Sequence, residues 1–228
     1  RVPERGRISI PPLVILSTAK NLYHHFLLTI PMSSLDLSFH PLTQKLWRDF
    51  ELLFGENGAC GGCWCMHWKL RGKAYSENKG ESNRQLQKSV VDAKIVPGLL
   101  AYSEGYPIGW VAIEPRSQYP RLAHSRVLKP IDDQEVWSVT CLFVEKKHRK
   151  QGVAIALLQA AVEHAKEHGA KIIEGYPTET TGEAPPVFIF TGTASAFAQA
   201  GFQEVARPSP TRPIYRYFIS SPSGRGAG

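Results

Sequence analysis

The sequence predicts a single mixed α/β (α+β) domain, and three patterns lead to that prediction. The first is an apolar run, a basic turn and a long amphipathic helix between Val136 and Lys171, followed by another short apolar run. A strand, a crossover helix and a second strand form a right-handed parallel unit. The second pattern is a hairpin before this unit, and the third is a pair of short strands near the C-terminus.

The elements before the central unit follow from hydrophobic periodicity and from glycine and proline breaks. Apolar residues at helical spacing predict a first helix over 43–54, which Gly55 ends. A second helix is predicted over 83–95, because a Pro-Gly pair follows it closely. Apolar runs over 99–102 and 108–113 then predict two strands of an antiparallel hairpin.

The central strand is predicted over 136–144, where β-branched and aromatic residues run until a charged stretch begins. The helix after it carries apolar residues at i, i+3, i+4, i+7, i+8 and i+11 counted from Ala154, and Gly169 ends it. A second, short strand over 171–176 stops at a proline. The remaining predicted elements are a short helix over 195–200 and strands over 203–206 and 213–219.

The first turn of the long helix has no side chain to cap it. No Ser, Thr, Asp or Asn stands at its start, so the first N–H groups lack a side-chain acceptor at the positive end of the helix dipole. Gly152 lets a ligand approach the backbone closely, and Arg149 and Lys150 add positive charge. An anion such as a pyrophosphate would satisfy all three features.

The stretch Arg149-Lys150-Gln151-Gly152-Val153-Ala154 resembles the acetyl-CoA-binding motif Arg/Gln-x-x-Gly-x-Gly/Ala of the GNAT N-acetyltransferase family. The strand before it and the helix after it stand where that family has them, and the order of elements matches its fold from about 42 to 219. The resemblance implies a mixed, mostly antiparallel sheet flanked by helices. In that fold two central parallel strands splay, and acetyl-CoA occupies the gap.

The resemblance also implies an acyltransferase activity, with acetyl-CoA as co-substrate, no metal, and direct transfer of the acetyl group to an amine of a small molecule or peptide. The backbone of Leu142, Phe143 and Val144 would pair with the pantetheine arm, and amides near Leu142 and Val144 would face the developing oxyanion. The residues expected to hold the pyrophosphate are Arg149, Lys150, Gln151, Gly152, Val153 and Ala154.

The usual acid and base of the family do not stand at their usual positions in this chain. A Tyr acid is expected four residues before the Gly-Phe turn at 201–202, and that residue is Phe197. Some members carry a glutamate base on the central strand, where this chain has Ser138. A CoA-binding module without turnover is therefore the alternative function.

Substitute catalytic residues are expected on the strand over 171–176 and on the central strand. Glu174 is the candidate base, because an acidic residue inside an otherwise apolar strand has little structural reason to be there. The alternative is that Glu174 faces water at the strand edge or pairs with a lysine. Tyr176 and Cys141, together with Ser195, are the candidate acids.

The loop over 58–68 is rich in glycine, cysteine and tryptophan. Its Cys60, Cys63, Cys65 and His67 are zinc ligands by type, but four ligands within eight residues would force a very tight loop. A small zinc-binding protein is thus the less favoured function. We interpret the loop as a wall of the acceptor groove, in which Trp64 and Trp68 contact an apolar or cationic amine, or else belong to the core.

Composition excludes several partners. No apolar run is long enough for a membrane span, so we expect no membrane association. Part of the net charge of +7 lies in the first 31 residues and the rest is scattered, so we expect no nucleic-acid partner. Four cysteines, three of them within six residues, fit a reducing cytoplasm better than a disulfide framework.

The domain boundaries are indicated by the proline-rich, aperiodic N-terminus. We expect residues 1–31 to be an upstream extension outside the fold, because they differ in composition from the rest of the chain. Residues 32–220 are expected to form the single GNAT domain and 221–228 a flexible tail. A monomer or a homodimer is expected.

Overall fold

The computed structural model of the protein describes residues 35–179 and 190–219. The predicted extension over 1–31 and the predicted tail over 221–228 lie outside the described residues. Within the described ranges the chain forms seven strands and six α-helices, joined by short 3₁₀ turns and one π-type turn. No helix of these ranges is both long enough and apolar enough to cross a membrane.

The elements lie close to the predicted positions. The strands are β1 Leu37–Pro41, β2 Gly98–Ser103, β3 Tyr106–Pro115, β4 Trp137–Val144, β5 Ile172–Gly175, β6 Gln203–Ala206 and β7 Ile214–Phe218. The helices are α1 Trp47–Phe54, α2 Gly72–Glu77, α3 Glu81–Asp92, α4 Pro120–Ala123, α5 Val153–Glu167 and α6 Ala194–Gln199. The predicted helices and strands are thus all present, whereas β1, α2 and α4 were not predicted.

The strands form one sheet in the order β1-β2-β3-β4-β5-β7-β6. All neighbouring pairs are antiparallel except β4 and β5, which run parallel on either side of the crossover helix α5. The predicted mixed, mostly antiparallel sheet with a central parallel pair is therefore confirmed.

The parallel strands separate soon after they meet. They are paired over three positions, from Trp137 opposite Ile173 to Val139 opposite Gly175, whereas β4 continues to Val144. The register between β3 and β4 also shifts beside this point, which leaves Thr140 as an extra residue in β4. Such a bulge bends a strand and increases its twist, so β4 turns away where β5 ends.

Helices cover both faces of the sheet. On one face α5 buries the predicted apolar stripe from Leu157 to Ala165, although not its first member Ala154, and Phe197 of α6 packs in the same cluster. On the other face α1 packs Phe50 and Phe54 against Trp110 of β3. Because the buried stripe begins at Val153, the first turn of α5 is fixed beside the end of β4.

Candidate active site

A groove of about 930 Å³ lies along the part of β4 that continues beyond its pairing with β5. One wall is the stretch from Cys141 to Val144 on β4, and the first turn of α5 closes one end. Thr193, Ser195 and Ala196 at the start of α6 form part of the opposite side. The cysteine-rich loop and Tyr75 of α2 surround the other end. The groove is thus a single channel from the start of α5 to this loop.

The start of α5 has the geometry of an anion site. The preceding Gly152 has a φ of 80°, in the left-handed region that favours glycine, and no side chain caps the helix. A Cβ added at Gly152 would meet no other atom, so the space in front of the helix is open. Val153 and Ala154 line the groove here. The first N–H groups of α5 therefore lie at the groove end without a side-chain acceptor.

The basic turn before α5 contributes side chains in different ways. Arg149 and Lys150 line the groove, whereas Gln151 does not. The Gln151 side-chain amide instead donates to the carbonyl of Lys147 at 2.9 Å. The Nε of Arg149 donates to the carbonyl of Val144 at 3.0 Å, which fixes the turn against the end of β4.

The β4 wall differs in one respect from the expected geometry. Leu142, Phe143 and Val144 all line the groove, as predicted for a strand beside the pantetheine arm. The N–H of Leu142, however, donates to the carbonyl of Phe190 at 2.7 Å. This hydrogen bond within the chain disagrees with the expectation that the Leu142 amide faces an oxyanion.

Glu174 and Tyr176 do not line the groove. The Glu174 carboxylate accepts from Nη1 of Arg116 and from Nε of Arg216, each at 2.7 Å, and its side chain is 1% exposed. The Tyr176 hydroxyl donates to Glu174 at 2.8 Å and lies 2.8 Å from the hydroxyl of Ser138. The role of base expected for Glu174 disagrees with this placement, because both oxygens are committed to arginines away from the groove.

Cys141 is, with Ser195, one of the two candidate acids that line the groove. It lies on the β4 wall, next to Cys65 of the loop. The hydrogen bond with Cys65, together with burial, raises the pKa of the Cys141 thiol well above its ordinary value. Cys65 in turn accepts a hydrogen bond from the indole N–H of Trp110 at 3.2 Å. The Cys141 thiol is therefore protonated at neutral pH.

The two loop tryptophans have different environments. Trp64 stacks on Phe54 with ring centroids 5.8 Å apart and belongs to the core beneath α1. Trp68 lines the groove and is only 8% exposed. Trp64 therefore lies in the core, whereas Trp68 both lines the groove and belongs to a second buried cluster.

The cysteine-rich loop points its side chains to different partners. The Cys63 thiol donates to the carbonyl of Gly58 at 3.4 Å, and Cys65 contacts Trp110. All four cysteines of the chain are free thiols. Among the described residues no three His, Cys, Asp or Glu side chains are placed to hold one metal ion.

Two groove residues were not assigned a catalytic role from the sequence. His67 lies at the loop end, where burial, followed by the charges of Arg121, Arg212 and Lys79, lowers its pKa to about 4. Tyr75 has its pKa raised to about 12, mainly by burial. His67 is therefore neutral and Tyr75 protonated at neutral pH, so one can accept a proton and the other donate a hydrogen bond.

The chain matches known proteins in sequence family and in fold. The model of the acetyltransferase (GNAT) family matches residues 62–181, which is more than half of the chain. None of the curated proteins compared matches the chain in sequence.

Solved structures share the fold at low sequence identity. A polyamine N-acetyltransferase of Drosophila melanogaster superposes with a TM-score of 0.52, is 11% identical, and covers 81% of this chain and 100% of its own. An agmatine N-acetyltransferase variant in its apo form gives a TM-score of 0.50 at 12% identity, covering 81% of this chain and 100% of its own. Together with the family match, which confirms the resemblance seen in the motif, this shared fold establishes that the chain belongs to the GNAT family of acetyltransferases.

Proposed function

We propose that the protein is an N-acetyltransferase that transfers an acetyl group from acetyl-CoA directly to an amine of a small molecule or peptide. The observation that supports this most is the groove itself. It joins an uncapped helix N-terminus at one end to a pocket with proton-transfer groups at the other. A pyrophosphate suits the first end and an acceptor amine suits the second.

The first end would hold the diphosphate through backbone rather than through side chains. The N–H groups at Val153 and Ala154 carry the positive end of the α5 dipole, and Gly152 leaves the approach open. Arg149 and Lys150 add formal charge beside them. The acyl arm would then run along β4 from Val144 toward Cys141.

The second end would supply the proton transfers. The amine nitrogen bonds to the thioester carbon, the carbon–sulfur bond breaks, and the amine loses a proton while the sulfur of CoA gains one. We assign the acceptance of the amine proton to His67, which is neutral. The proton taken by His67 then passes to the departing sulfur, and the Cys141 thiol, whose raised pKa keeps its own proton in place, donates a hydrogen bond to that sulfur. Glu174 and Tyr176 have a positioning role, because Glu174 ties β5 to β7 and to the turn after β3, and Tyr176 contacts Ser138 of β4.

One observation favours the alternative of a CoA-binding module without turnover. Phe197 stands where the family's usual acid is expected, and its side chain is fully buried in the core. Release of CoA thiol from acetyl-CoA across a panel of amines, with mass spectrometry of the products, separates the two functions. Acetylated amine is the expected result, whereas calorimetric binding of acetyl-CoA without any acetylated product would establish the module.

A further inference from the structure

A second cavity of about 450 Å³ opens beside the acceptor end of the groove. The two cavities share His67 and Trp68. A molecule that presents its amine at His67 can therefore extend into this second cavity. The side chains that line the second cavity would then help to determine which acceptors bind.

Two guanidinium groups line the second cavity, and neither has a carboxylate partner among the described residues. Arg71 is exposed and precedes α2. The Arg121 guanidinium donates to the carbonyl of His67 at 3.4 Å and lies 5.6 Å from the ring of Tyr75, and both groups are neutral. By contrast, the buried Arg216 pairs with both Glu174 and Asp132.

The Arg and Lys side chains that line the two cavities are not balanced by acidic ones in the described part of the chain. No Asp or Glu of the described residues lines the groove or the second cavity. Positive charge near His67 also contributes to its low pKa, through Arg121, Arg212 and Lys79. A polycationic acceptor would meet repulsion here and no ion partner. This argues against the cationic amine that the aromatic walls suggested, and for a molecule with negative charge.

We infer that the acceptor is an amine that also carries an anionic group, a carboxylate or a phosphate, which binds between Arg71 and Arg121. The amine at the other end of the acceptor lies at His67. The inference rests on the proposed N-acetyltransferase function and narrows its substrate class to amino acids, amino phosphates and related amines.

Matched amines test the inference directly. Tyrosine and tyramine differ only in the carboxylate, and phosphoethanolamine and ethanolamine only in the phosphate. With acetyl-CoA saturating, kcat/KM for one or both of the anionic members should exceed that of its neutral-tailed partner by roughly 10- to 100-fold, as expected for charge-assisted hydrogen bonds. Which pair shows the larger ratio identifies the anion. Equal values within both pairs, or faster acetylation of the two amines that lack an anion, would overturn the inference.

Arginine variants locate the anion site. Arg71→Gln and Arg121→Gln should each raise KM for the anionic amine. The ratio of kcat/KM between the anionic amine and its neutral-tailed partner should then fall close to one. Arg71 is exposed, so its replacement leaves the packing unchanged. Arg126→Gln is the matched control, because Arg126 is also exposed but lines neither cavity. A ratio that survives both arginine variants would contradict the site.

Binding separates this inference from the proposed function. Calorimetry of the four amines with CoA-loaded protein is independent of turnover. If no amine is acetylated but the anionic members bind and Arg121→Gln abolishes that binding, the anion site stands and the transferase function fails. If neutral-tailed amines are acetylated and the anionic members do not bind, the function stands and the anion site fails.

Discussion

The phenyl ring of Phe197 packs directly against Gly175, so closely that a Cβ at position 175 would overlap Cε1 and Cζ of the ring. Gly175 is the last residue of β5, and its partner Val139 is the last β4 residue paired with β5. The contact between Phe197 and Gly175 therefore lies beneath the point where the sheet opens. Phe197 supports the groove from the core side and does not line it.

The variant Phe197→Tyr should not restore a general acid. The new hydroxyl would be attached at Cζ, inside the core cluster and beside Gly175. An unpaired buried hydroxyl costs about 1–3 kcal/mol. We expect the free energy of unfolding in urea to fall by about that amount, with no gain in turnover. A variant as stable as the wild type that releases CoA thiol faster would show that position 197 reaches the substrate.

The variant Glu174→Gln should lower the free energy of unfolding more than it lowers the rate of acetyl transfer. It removes the carboxylate that pairs with Arg116 and leaves Arg216, which is only 4% exposed, with Asp132 as its remaining partner. Breaking a buried ion pair on one side typically costs about 3–5 kcal/mol. Urea denaturation measures this loss of stability, and the rate of CoA-thiol release by the folded fraction measures the effect on acetyl transfer. Unchanged stability with a turnover loss of roughly 100-fold would instead assign Glu174 a direct role in the reaction.

His67 should make stability depend on pH in the acid range. Its pKa falls from 6.5 to about 4 on folding, so between these values the unfolded chain binds more protons than the folded one. The free energy of unfolding should therefore decrease as pH falls from 6.5 toward 4. His67→Gln lacks this contribution, so the stability of the wild type relative to the variant should decline over that range. Urea titrations at pH 7 and pH 4 check this, and a constant difference would contradict the low pKa.

The sequence predicted the parts of the fold whose signal is local and periodic. The stripe of α5 and the unbroken apolar run of β4 are such signals, and both were placed within one or two residues. The strand β1 was not predicted, although its apolar and polar residues alternate, because the run is only five residues long and ends in a proline. The short helices α2 and α4 each have at most one fully buried residue, so neither shows a stripe.

The site could be predicted only where function depends on backbone. The uncapped start of α5 and its glycine are visible in consecutive residues. The environment of Glu174 is not, because Arg116 and Arg216 come from positions 58 and 42 residues away. The sequence shows that Glu174 is unusual as an acidic residue in an apolar strand, but its role depends on its two arginine partners. Tyr75 and Arg121 were missed for the same reason, since only the folded chain brings them beside His67.

Calorimetric titration of acetyl-CoA into the wild type, Gly152→Glu and Gly169→Glu tests the diphosphate site most directly. Gly152 and Gly169 stand at opposite ends of α5, each with a φ of 80° and open space around its Cβ position, so the two substitutions impose the same backbone strain. Only glutamate at 152 places negative charge and bulk before the N-terminus of the helix. Acetyl-CoA should bind the wild type and Gly169→Glu, and Gly152→Glu should lose roughly 100-fold or more in affinity. Equal affinity in all three proteins would contradict a diphosphate site at the start of α5.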